Sequence, residues 1–357
     1  MNLYSLMTFL LQFRQINQVN QQALKFQNPL RNGTADPSMV WADGQYHLTY
    51  TSGGQHIEIT RASNLKDLAE GVPKVVWEDS NSTRSADIWA PEIHQIDDIW
   101  YIFYSSRDAN VIGSYRTRVL RGCNGTNPTD CEYTFGADLV PPVGKRGGPD
   151  GKNAYSIDGT YMEIPGKGRY HVLSMRDENN VQSLGITKLN TTTWKVDQWH
   201  VISRPDYAWE KYMGKGAGAQ VLAVGAGLNE GPYALYNGDD VWLSYSASSC
   251  DTPQYALGLL YYNGGDPLQA TSWNKTGPVF QSANGNFGTA HNSFFKSPDG
   301  NQTWNLFHAT SNSKGGCGID RYTMAQPLAF DDDGTPNFGQ PQRIHADFTP
   351  PSGESWI

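Results

Sequence analysis

Short apolar and aromatic runs separated by polar turns recur along most of the chain, and they predict strands rather than helices. Five segments share one layout, in which a strand-like run is followed by a Gly- or Asp-containing turn and a second, aromatic-rich run. They read ADPSMVWADGQYHLTYT, WAPEIHQIDDIWYIFYSS, YSIDGTYMEIPGKGRYHVLSM, LNEGPYALYNGDDVWLSYS and AHNSFFKSPDGNQTWNLFHA. Each unit is long enough for a four-stranded antiparallel sheet. The pattern therefore predicts an all-β protein, a five-bladed β-propeller, whereas a β-sandwich would not repeat hairpins at this spacing.

One position in each unit lies eight residues before the turn. These equivalent positions are Asp36, Ala90, Asp158, Glu230 and His291. The innermost strands of a propeller run in one direction around the axis, so the five positions are expected to meet in a ring at one mouth. An acid before Gly or Pro is also an ordinary turn former. Three acids in one register of five nevertheless favour a functional ring.

Carboxylates that share a concave site repel one another, which raises the pKa of at least one of them. One protonated and one ionised carboxyl group are what glycoside hydrolysis needs, because one protonates the leaving oxygen and the other acts on water or on the sugar. Trp89, next to Ala90, is placed to line such a site and stack on a sugar, while Trp41 is expected to pack inside a blade. His94, His171 and His308 are interpreted as packed or exposed residues rather than ligands.

The composition of the chain argues against some classes of binding partner. The net charge of −8 and pI near 5.5 argue against nucleic acid, whose phosphates need clustered Lys and Arg.

The four cysteines contain no CxxC pair, which argues against zinc. CNGTNPTDC suits a small loop closed by Cys123 and Cys131, and Cys250 with Cys317 is the second predicted pair, joining loops of blades four and five near the mouth. Six N-x-S/T sequons and the even cysteine count favour a secreted glycoprotein. The sequons begin at Asn32, Asn81, Asn124, Asn190, Asn274 and Asn301.

The chain is expected to divide into three parts. Residues 1–28 are interpreted as an N-terminal extension or degenerate signal segment, because MNLYSLMTFLLQF has an apolar run but no basic region before it. Residues 29–350 would form the propeller, and residues 351–357 a C-terminal tail. No apolar stretch approaches the length of a membrane span, so no membrane partner is expected.

The motifs ADPSMV, WAPEI, SIDGT and NEGPYAL, in that order, resemble glycoside hydrolase family 43. The resemblance runs from about Asn28 to Gln342, and CGIDRYTMAQPLAFDDDGTPNFGQP resembles the last blade of the family. It implies a five-bladed propeller and hydrolysis with inversion at the anomeric carbon.

The same resemblance implies a role for each matching residue. Asp36 would be the general base, Glu230 the general acid, and Asp158 the residue that tunes the pKa of Glu230 and orients it. Arg321 matches an arginine that binds the sugar before the scissile bond. His291 matches a histidine at the axis that in some members lies near a bound cation, often calcium. No cofactor is required, and one Ca²⁺ at the axis is the only metal that the resemblance suggests.

GGQHIEITRASNLKDL followed by DIWAPEIHQIDDIWYIFYSS resembles the exo-acting α-1,5-L-arabinofuranosidase branch most closely. The expected substrate is therefore an L-arabinose-containing plant cell-wall polysaccharide or oligosaccharide, acted on by a monomer. A β-xylosidase or an endo-arabinanase of the same family remains an alternative. Two alternatives of another class are a non-catalytic sugar-binding propeller and an interaction scaffold. The first would lack one of the three acids, and the second would have no converging charged side chains at its axis.

Overall fold

The structure, a computed structural model, describes residues 24–145, 155–214 and 226–354. In these residues it contains β-strands and four short 3-10 helices, but no α-helix. The described residues include no helix that is long and apolar enough to cross a membrane. Five antiparallel sheets follow one another along the chain, which confirms the predicted five-bladed propeller.

Each blade is a meander whose first strand is innermost. Blade 1 consists of Ala35–Ala42, Gln45–Thr51, His56–Ala62 and Lys74–Glu78. Blade 2 consists of Ala86–Ile96, Ile99–Arg107, Arg116–Asn124 and Thr134–Asp138. Blade 3 consists of Ser156–Ile164, Gly168–Arg176 and Gln182–Asn190, with Lys195–Val196 and His200–Ser203 both paired to its third strand.

Blade 4 consists of Asn229–Asn237, Asp240–Ala247, Ala256–Tyr262 and Trp273–Phe280. Blade 5 consists of Phe287–Lys296, Thr303–Thr310 and Arg321–Phe330, and Arg31–Asn32 from the other end of the chain supplies its outer strand. Pro336–Asn337 also pairs with Arg321–Phe330. The 3-10 helices are Lys66–Ala69, Pro128–Asp130, Ala208–Glu210 and Ala270–Ser272.

The hydrophobic core lies between the blades. Five large clusters of buried side chains each join two neighbouring blades around the ring, and the described residues of every blade contribute to two of them. Trp41 packs against the cluster between blades 5 and 1, with its ring centroid 4.7 Å from that of Tyr46, so the packing role expected for Trp41 is confirmed. Because each sheet buries both faces, its strands carry apolar residues on both sides.

The ring is closed by residues near both ends of the chain. Arg31 pairs with Thr323, which makes blade 5 from two distant segments. Outside it, Phe26–Gln27 pairs with Asp347–Phe348, and Phe26 is buried in the core. The packed part of the chain thus begins at least two residues before the expected boundary at residue 28. At the other end, the Glu354 carboxylate accepts a hydrogen bond from the Tyr46 hydroxyl at 2.9 Å, so part of the expected tail also packs on the propeller.

Both predicted disulfides are present, and each joins Cα atoms 5.2 Å apart. Cys123–Cys131 closes a short loop at the end of the third strand of blade 2. Cys250–Cys317 joins the loop after the second strand of blade 4 to the corresponding loop of blade 5. These two loops lie at the mouth where the first strands begin.

Candidate active site

The first strand of each blade bulges close to its start. Two residues of the first strand oppose one residue of the second there, so the pairing register shifts by one residue. The first bulged residue has a positive φ in all five blades, a conformation that costs free energy for residues other than glycine. These residues are Asp36 (51°), Ala90 (47°), Asp158 (54°), Gly231 (56°) and His291 (44°). The repeated bulge aims one side chain per blade toward the mouth of the axis.

Glu230 is not the equivalent of Asp36 and Asp158, contrary to the expectation from the sequence. The hairpin of blade 4 pairs Asn237 with Asp240, so Gly238 is the first residue of its turn, whereas Gly44 is the second residue of its turn in blade 1. The equivalent position is therefore Gly231, which accepts a positive φ without the steric cost of a side chain. Glu230 is one residue earlier and reaches the same cavity from there.

Hydrogen bonds between blades hold the bulges in place. The amide of Ala90 donates to Thr51 Oγ1, that of Asp158 to Ser105 Oγ and that of His291 to Ser246 Oγ, each at 2.8 Å. The amide of Asp36 donates to His308 Nδ1 at 3.1 Å. Each acceptor is on the second strand of the preceding blade, so the position of every ring residue depends on its neighbour in space.

A cavity of about 270 Å³ opens at this mouth. Asp36, Asp158, Glu230 and His291, which the sequence predicted to converge, all line it. Ala90, the fifth member of the predicted ring, is not among the lining residues. The remaining lining residues are Gly33, Thr34, Ala35, Thr51, Gly53, Gly54, Trp89, Ile157, Cys250, Tyr255, Cys317, Gly318, Ile319 and Arg321.

Asp36 is surrounded by donors. Thr51 Oγ1 donates to its Oδ2 at 2.7 Å, while its Oδ1 is 3.2 Å from His291 Nδ1 and 3.3 Å from an Arg321 guanidinium nitrogen. Burial alone would raise the pKa of Asp36. The charges of His291 and Arg321 outweigh burial and hold the pKa of Asp36 well below its usual range. Asp36 is therefore an ionised carboxylate, able to accept a proton from water.

Glu230 is in the opposite electrostatic situation. Burial raises the pKa of Glu230, and the negative charge of Asp36 acts in the same direction. His291 opposes this shift, as do hydrogen bonds that the carboxylate accepts from Tyr255 and, at 2.8 Å, from Gln182 Nε2. The net shift is upward, so Glu230 keeps its proton to a higher pH than an exposed glutamate does.

Asp158 is next to Glu230 and coupled to it. Its Oδ2 accepts a hydrogen bond from the Gly231 amide at 3.1 Å, which ties it to the backbone immediately after Glu230. Burial raises the pKa of Asp158 to about 8; the charges of Glu230 and Asp36 add to this, and His291 opposes it. The two carboxyl groups therefore titrate as a pair that retains protons near neutral pH.

His291 forms an ion pair with Asp36. Burial lowers the pKa of His291, but the charges of Asp36, Asp158 and Glu230 raise it above its ordinary value. A protonated imidazole has no lone pair for a metal, and Ca²⁺ prefers oxygen ligands. In the described ranges, no three His, Cys, Asp or Glu side chains form a group that could hold an ion. The protonated imidazole itself is therefore a poor calcium ligand, and the calcium expected at the axis stays a prediction.

Arg321 and Trp89 both form part of the cavity wall. The Arg321 guanidinium contacts Asp36 and donates to the Cys317 carbonyl at 2.7 Å, so the disulfide-bonded loop of blade 5 helps to hold it. The Trp89 ring stacks on Tyr115 with centroids 4.9 Å apart. A Cβ atom on Gly54 would lie 3.1 Å from Trp89 Nε1, so that glycine leaves room for the indole ring.

Four contributors to the site were missed or misjudged from the sequence. His308 was interpreted as a packed or exposed residue, yet it contacts Asp36, and burial lowers its pKa to about 4 so that it is neutral. Thr51, Gln182 and Tyr255 were not considered, although they donate to Asp36 or Glu230. Thr51 and His308 occupy matching positions on second strands, opposite Ala35 and Ala290, and extending the repeat to those strands would have found them.

Comparison with known proteins gives one consistent result. The family described as Glycosyl hydrolases family 43 matches residues 26–336. An extracellular exo-α-(1→5)-L-arabinofuranosidase of Streptomyces avermitilis is 33% identical over 89% of this chain, and the match spans 64% of that protein's length. An extracellular exo-α-(1→5)-L-arabinofuranosidase of Streptomyces chartreusis is 28% identical over 80% of this chain and 82% of its own.

A solved structure gives the same result for the fold. The crystal structure of an α-L-arabinofuranosidase from Lactobacillus brevis superposes with a TM-score of 0.75 at 28% identity, over 90% of this chain and 98% of that one.

Proposed function

Since the chain belongs to glycoside hydrolase family 43, we propose that it is an inverting glycosidase that removes terminal α-L-arabinofuranosyl units from α-1,5-linked arabinan or arabino-oligosaccharides. The observation that carries this proposal is that Asp36 and Glu230 line one cavity, where their surroundings shift the pKa of Asp36 downward and that of Glu230 upward. Inverting hydrolysis needs this combination of a carboxylate base and a carboxylic acid.

In the proposed reaction, Asp36 removes a proton from the attacking water. Its low pKa keeps it ionised, and His291 and Arg321 supply the positive charge that keeps it so. Water then forms the new bond to the anomeric carbon on the face opposite the leaving oxygen. Arg321 also has donors facing the cavity, where it would bind hydroxyl groups of the terminal sugar, and Trp89 would contact the apolar face of that sugar.

Glu230 gives its proton to the departing oxygen as the glycosidic bond breaks. Gln182 and Tyr255 hold its carboxyl group, and the raised pKa keeps the proton available at mildly acidic pH. Asp158 takes part in neither proton transfer. It fixes the backbone after Glu230 through the Gly231 amide and, when ionised, raises the pKa of Glu230 further.

The small size of the cavity supports removal of terminal units rather than cleavage within a chain. A volume of about 270 Å³ is just below the range of roughly 300–1,000 Å³ for small-molecule pockets and suits one or two sugar units. The relatives from both Streptomyces species are named as exo-acting enzymes. The two disulfides and the extracellular naming of those relatives also support secretion.

A substrate screen tests the proposal. The rates on p-nitrophenyl α-L-arabinofuranoside, p-nitrophenyl β-D-xyloside and linear arabinan are compared, and the sizes of the arabinan products are measured. We expect hydrolysis of the arabinofuranoside and release of single arabinose units from arabinan. Preferential hydrolysis of the xyloside would indicate a β-xylosidase, and a ladder of oligosaccharides an endo-arabinanase. If none of the three substrates is hydrolysed, the proposal that the protein is a glycosidase is contradicted.

A further inference from the structure

A strip of partly exposed side chains leads away from the cavity across blades 2 and 3. The Trp89 and Tyr115 rings are stacked with centroids 4.9 Å apart and 23° between their planes. Tyr115 meets Tyr155 edge-on at 5.6 Å, and the guanidinium carbon of Arg176 lies 4.2 Å from the centre of the Tyr155 ring. All four side chains keep part of their surface accessible. We call Trp89, Tyr115, Tyr155 and Arg176 the aromatic strip.

The topology puts the whole strip at the catalytic mouth. Trp89 is in the bulged part of the first strand of blade 2, and Tyr115 is in the loop after the second strand. Tyr155 directly precedes the first strand of blade 3, three residues before Asp158, and Arg176 ends the second strand of that blade. The strip therefore begins at the wall of the cavity and continues outside it.

The far end of the strip is beside the proposed general acid. Arg176 is paired across the sheet with Gln182, whose Nε2 donates to Glu230 at 2.8 Å. Burial raises the pKa of Tyr155 most, and the negative charge of Glu230 raises it next most. This electrostatic effect indicates that the two side chains are close. A general acid must be next to the oxygen that it protonates. Residues that flank Glu230 outside the cavity consequently face the leaving group.

A hydrogen bond holds the Tyr115 ring of the aromatic strip in place. Asp87 Oδ2 accepts hydrogen bonds from the Tyr115 hydroxyl at 2.6 Å and from Arg107 Nε at 2.5 Å. Asp87 also has a positive φ of 51°, so the backbone directs its carboxylate toward these two donors. A fixed ring loses little conformational entropy when a ligand binds, which favours a binding surface.

The strip also carries hydrogen-bond donors. Arg176 remains partly accessible as a residue, although its Nε is buried and has no acceptor within the described part of the chain. A guanidinium group has five N–H donors, so the accessible part of Arg176 can donate to ligand oxygens. Aromatic rings that contact C–H groups, together with guanidinium donors for hydroxyl oxygens, are the chemistry that binds a neutral sugar.

We propose that the aromatic strip binds the sugar units on the leaving-group side of the scissile bond, so that the enzyme favours oligosaccharides over glycosides with a small aglycone. The inference rests on the proposed function and extends it to a second binding region. Trp89 would contact both the terminal sugar and its neighbour, and Tyr155 and Arg176 would contact only the leaving part of the chain.

The test compares two substrates with equally poor leaving groups. α-1,5-Arabinotriose extends over the strip, whereas the methyl group of methyl α-L-arabinofuranoside does not reach it. Tyr155→Ala and Arg176→Ala are expected to lower kcat/KM on arabinotriose about tenfold and to change kcat/KM on the methyl glycoside less than about twofold. Inhibition by free L-arabinose, which fills only the terminal-sugar position, should keep its wild-type constant and so show that the variants are folded.

Two further variants complete the design. Tyr155→Phe keeps the ring and should act on arabinotriose nearly as the wild type does. Tyr236→Ala removes a more accessible aromatic ring, 39% exposed, from the cavity at the opposite mouth of the axis, and should change kcat/KM on neither substrate. Unchanged arabinotriose kinetics in both Tyr155→Ala and Arg176→Ala, or equal losses on both substrates with unchanged arabinose inhibition, would overturn the inference. A wild type inactive on both substrates would instead refute the proposed function, and the inference with it.

Discussion

Three side chains converge on Oδ1 of Asp36, and two of them carry positive charge. His291 Nδ1 is 3.2 Å away, and nitrogens of Arg321 and His308 are each 3.3 Å away. His308 is neutral, and its Nδ1 accepts the Asp36 amide proton, so it positions the residue rather than stabilising its charge. Because the folded pKa of Asp36 is depressed, its ionised form stabilises the fold above the ordinary pKa of aspartate, and this contribution is lost as the pH falls through the folded value.

The variant His291→Gln tests the control of this charge. The glutamine side chain would retain a donor for Asp36 but carry no charge, so the pKa of Asp36 should rise. We expect the acidic limb of the kcat/KM profile to move upward by about one pH unit, measured on an aryl arabinofuranoside. His171→Gln is the matched control, because His171 is also buried but bonds to Thr117 and Thr160 away from Asp36. An acidic limb that stays in place would contradict this role of His291.

The Asp158→Asn substitution should move the basic limb of the kcat/KM profile. The charge of Glu230 raises the pKa of Asp158, and by reciprocity an ionised Asp158 raises that of Glu230. Because the two carboxyl groups titrate as a pair, the last shared proton lies on Glu230 only while Asp158 is ionised. The uncharged amide of the variant removes the repulsion that retains this proton, so Glu230 should lose it at lower pH and the basic limb should move downward. The measurement is the pH dependence of kcat/KM, repeated in two buffers at each pH. A basic limb that moves to higher pH would show that Asp158 does not raise the pKa of the acid.

At the scale of elements, the loop that ends at Arg321 forms part of the cavity wall where the terminal sugar is proposed to bind. Cys317 lines the cavity, its carbonyl accepts a hydrogen bond from Arg321, and its disulfide joins it to Cys250 in blade 4. The loop is also tied to blade 4 by the Gly316 amide, which donates to the Cys250 carbonyl at 3.2 Å, and to blade 5 by the Asp320–Thr310 hydrogen bond. The disulfide is the covalent bond among these ties.

The double variant Cys250→Ser/Cys317→Ser should bind substrate more weakly. Without its covalent bond to blade 4, the loop would hold Arg321 less firmly, and we expect KM for arabinobiose to rise about tenfold, equivalent to about 1.4 kcal/mol, with a smaller change in kcat. Cys123→Ser/Cys131→Ser removes a disulfide at the end of a third strand, away from the mouth, and should leave KM unchanged. Equal KM values in both double variants would show that the loop holds its shape without its disulfide.

Elements also show how far the sequence could predict the site. Hairpin repeats revealed the propeller and the positions of Asp36 and Asp158, because the turn and the bulge keep a constant spacing in those blades. They misplaced Glu230 by one residue, since a Gly in either turn position looks the same in sequence while the pairing of Asn237 with Asp240 decides the register. Gln182 follows no spacing rule, because its contact with Glu230 depends on how blades 3 and 4 pack. Tyr255 belongs to the same blade as Glu230 but lies in the loop before its third strand, outside the hairpins that repeat.

For the whole molecule, ring closure depends on one buried side chain near the start of the described chain. Asn28 is 1% exposed, and its amide group bonds to both the carbonyl and the amide of Ala325, at 2.8 and 2.9 Å. It thereby acts like an additional strand residue beside the third strand of blade 5. The segment that follows supplies the outer strand of that blade and then enters blade 1.

Asn28→Ala should destabilise the propeller without changing its chemistry. Two buried backbone groups of Ala325 would lose their partners, at a cost of roughly 2–4 kcal/mol. We expect a lower urea midpoint in equilibrium unfolding, with wild-type kcat/KM at temperatures where the variant is folded. Gln27→Ala, which removes an exposed hydrogen bond to Asp347, is the control and should shift the midpoint little. Equal midpoints for the two variants would show that Asn28 is not needed for closure.

The central claim is that Glu230 is the general acid and Asp36 the general base. It is tested most directly by measuring kcat/KM for Glu230→Gln and Asp36→Asn on two kinds of substrate, arabino-oligosaccharides and a dinitrophenyl α-L-arabinofuranoside. Dinitrophenolate leaves without protonation, so Glu230→Gln should lose about 10²–10⁴-fold on the oligosaccharides and far less on the aryl glycoside. Asp36→Asn should lose activity severely on both, because every substrate needs the activated water. Equal losses of Glu230→Gln on both substrates, or rescue of Asp36→Asn by azide with retention of configuration, would contradict the account.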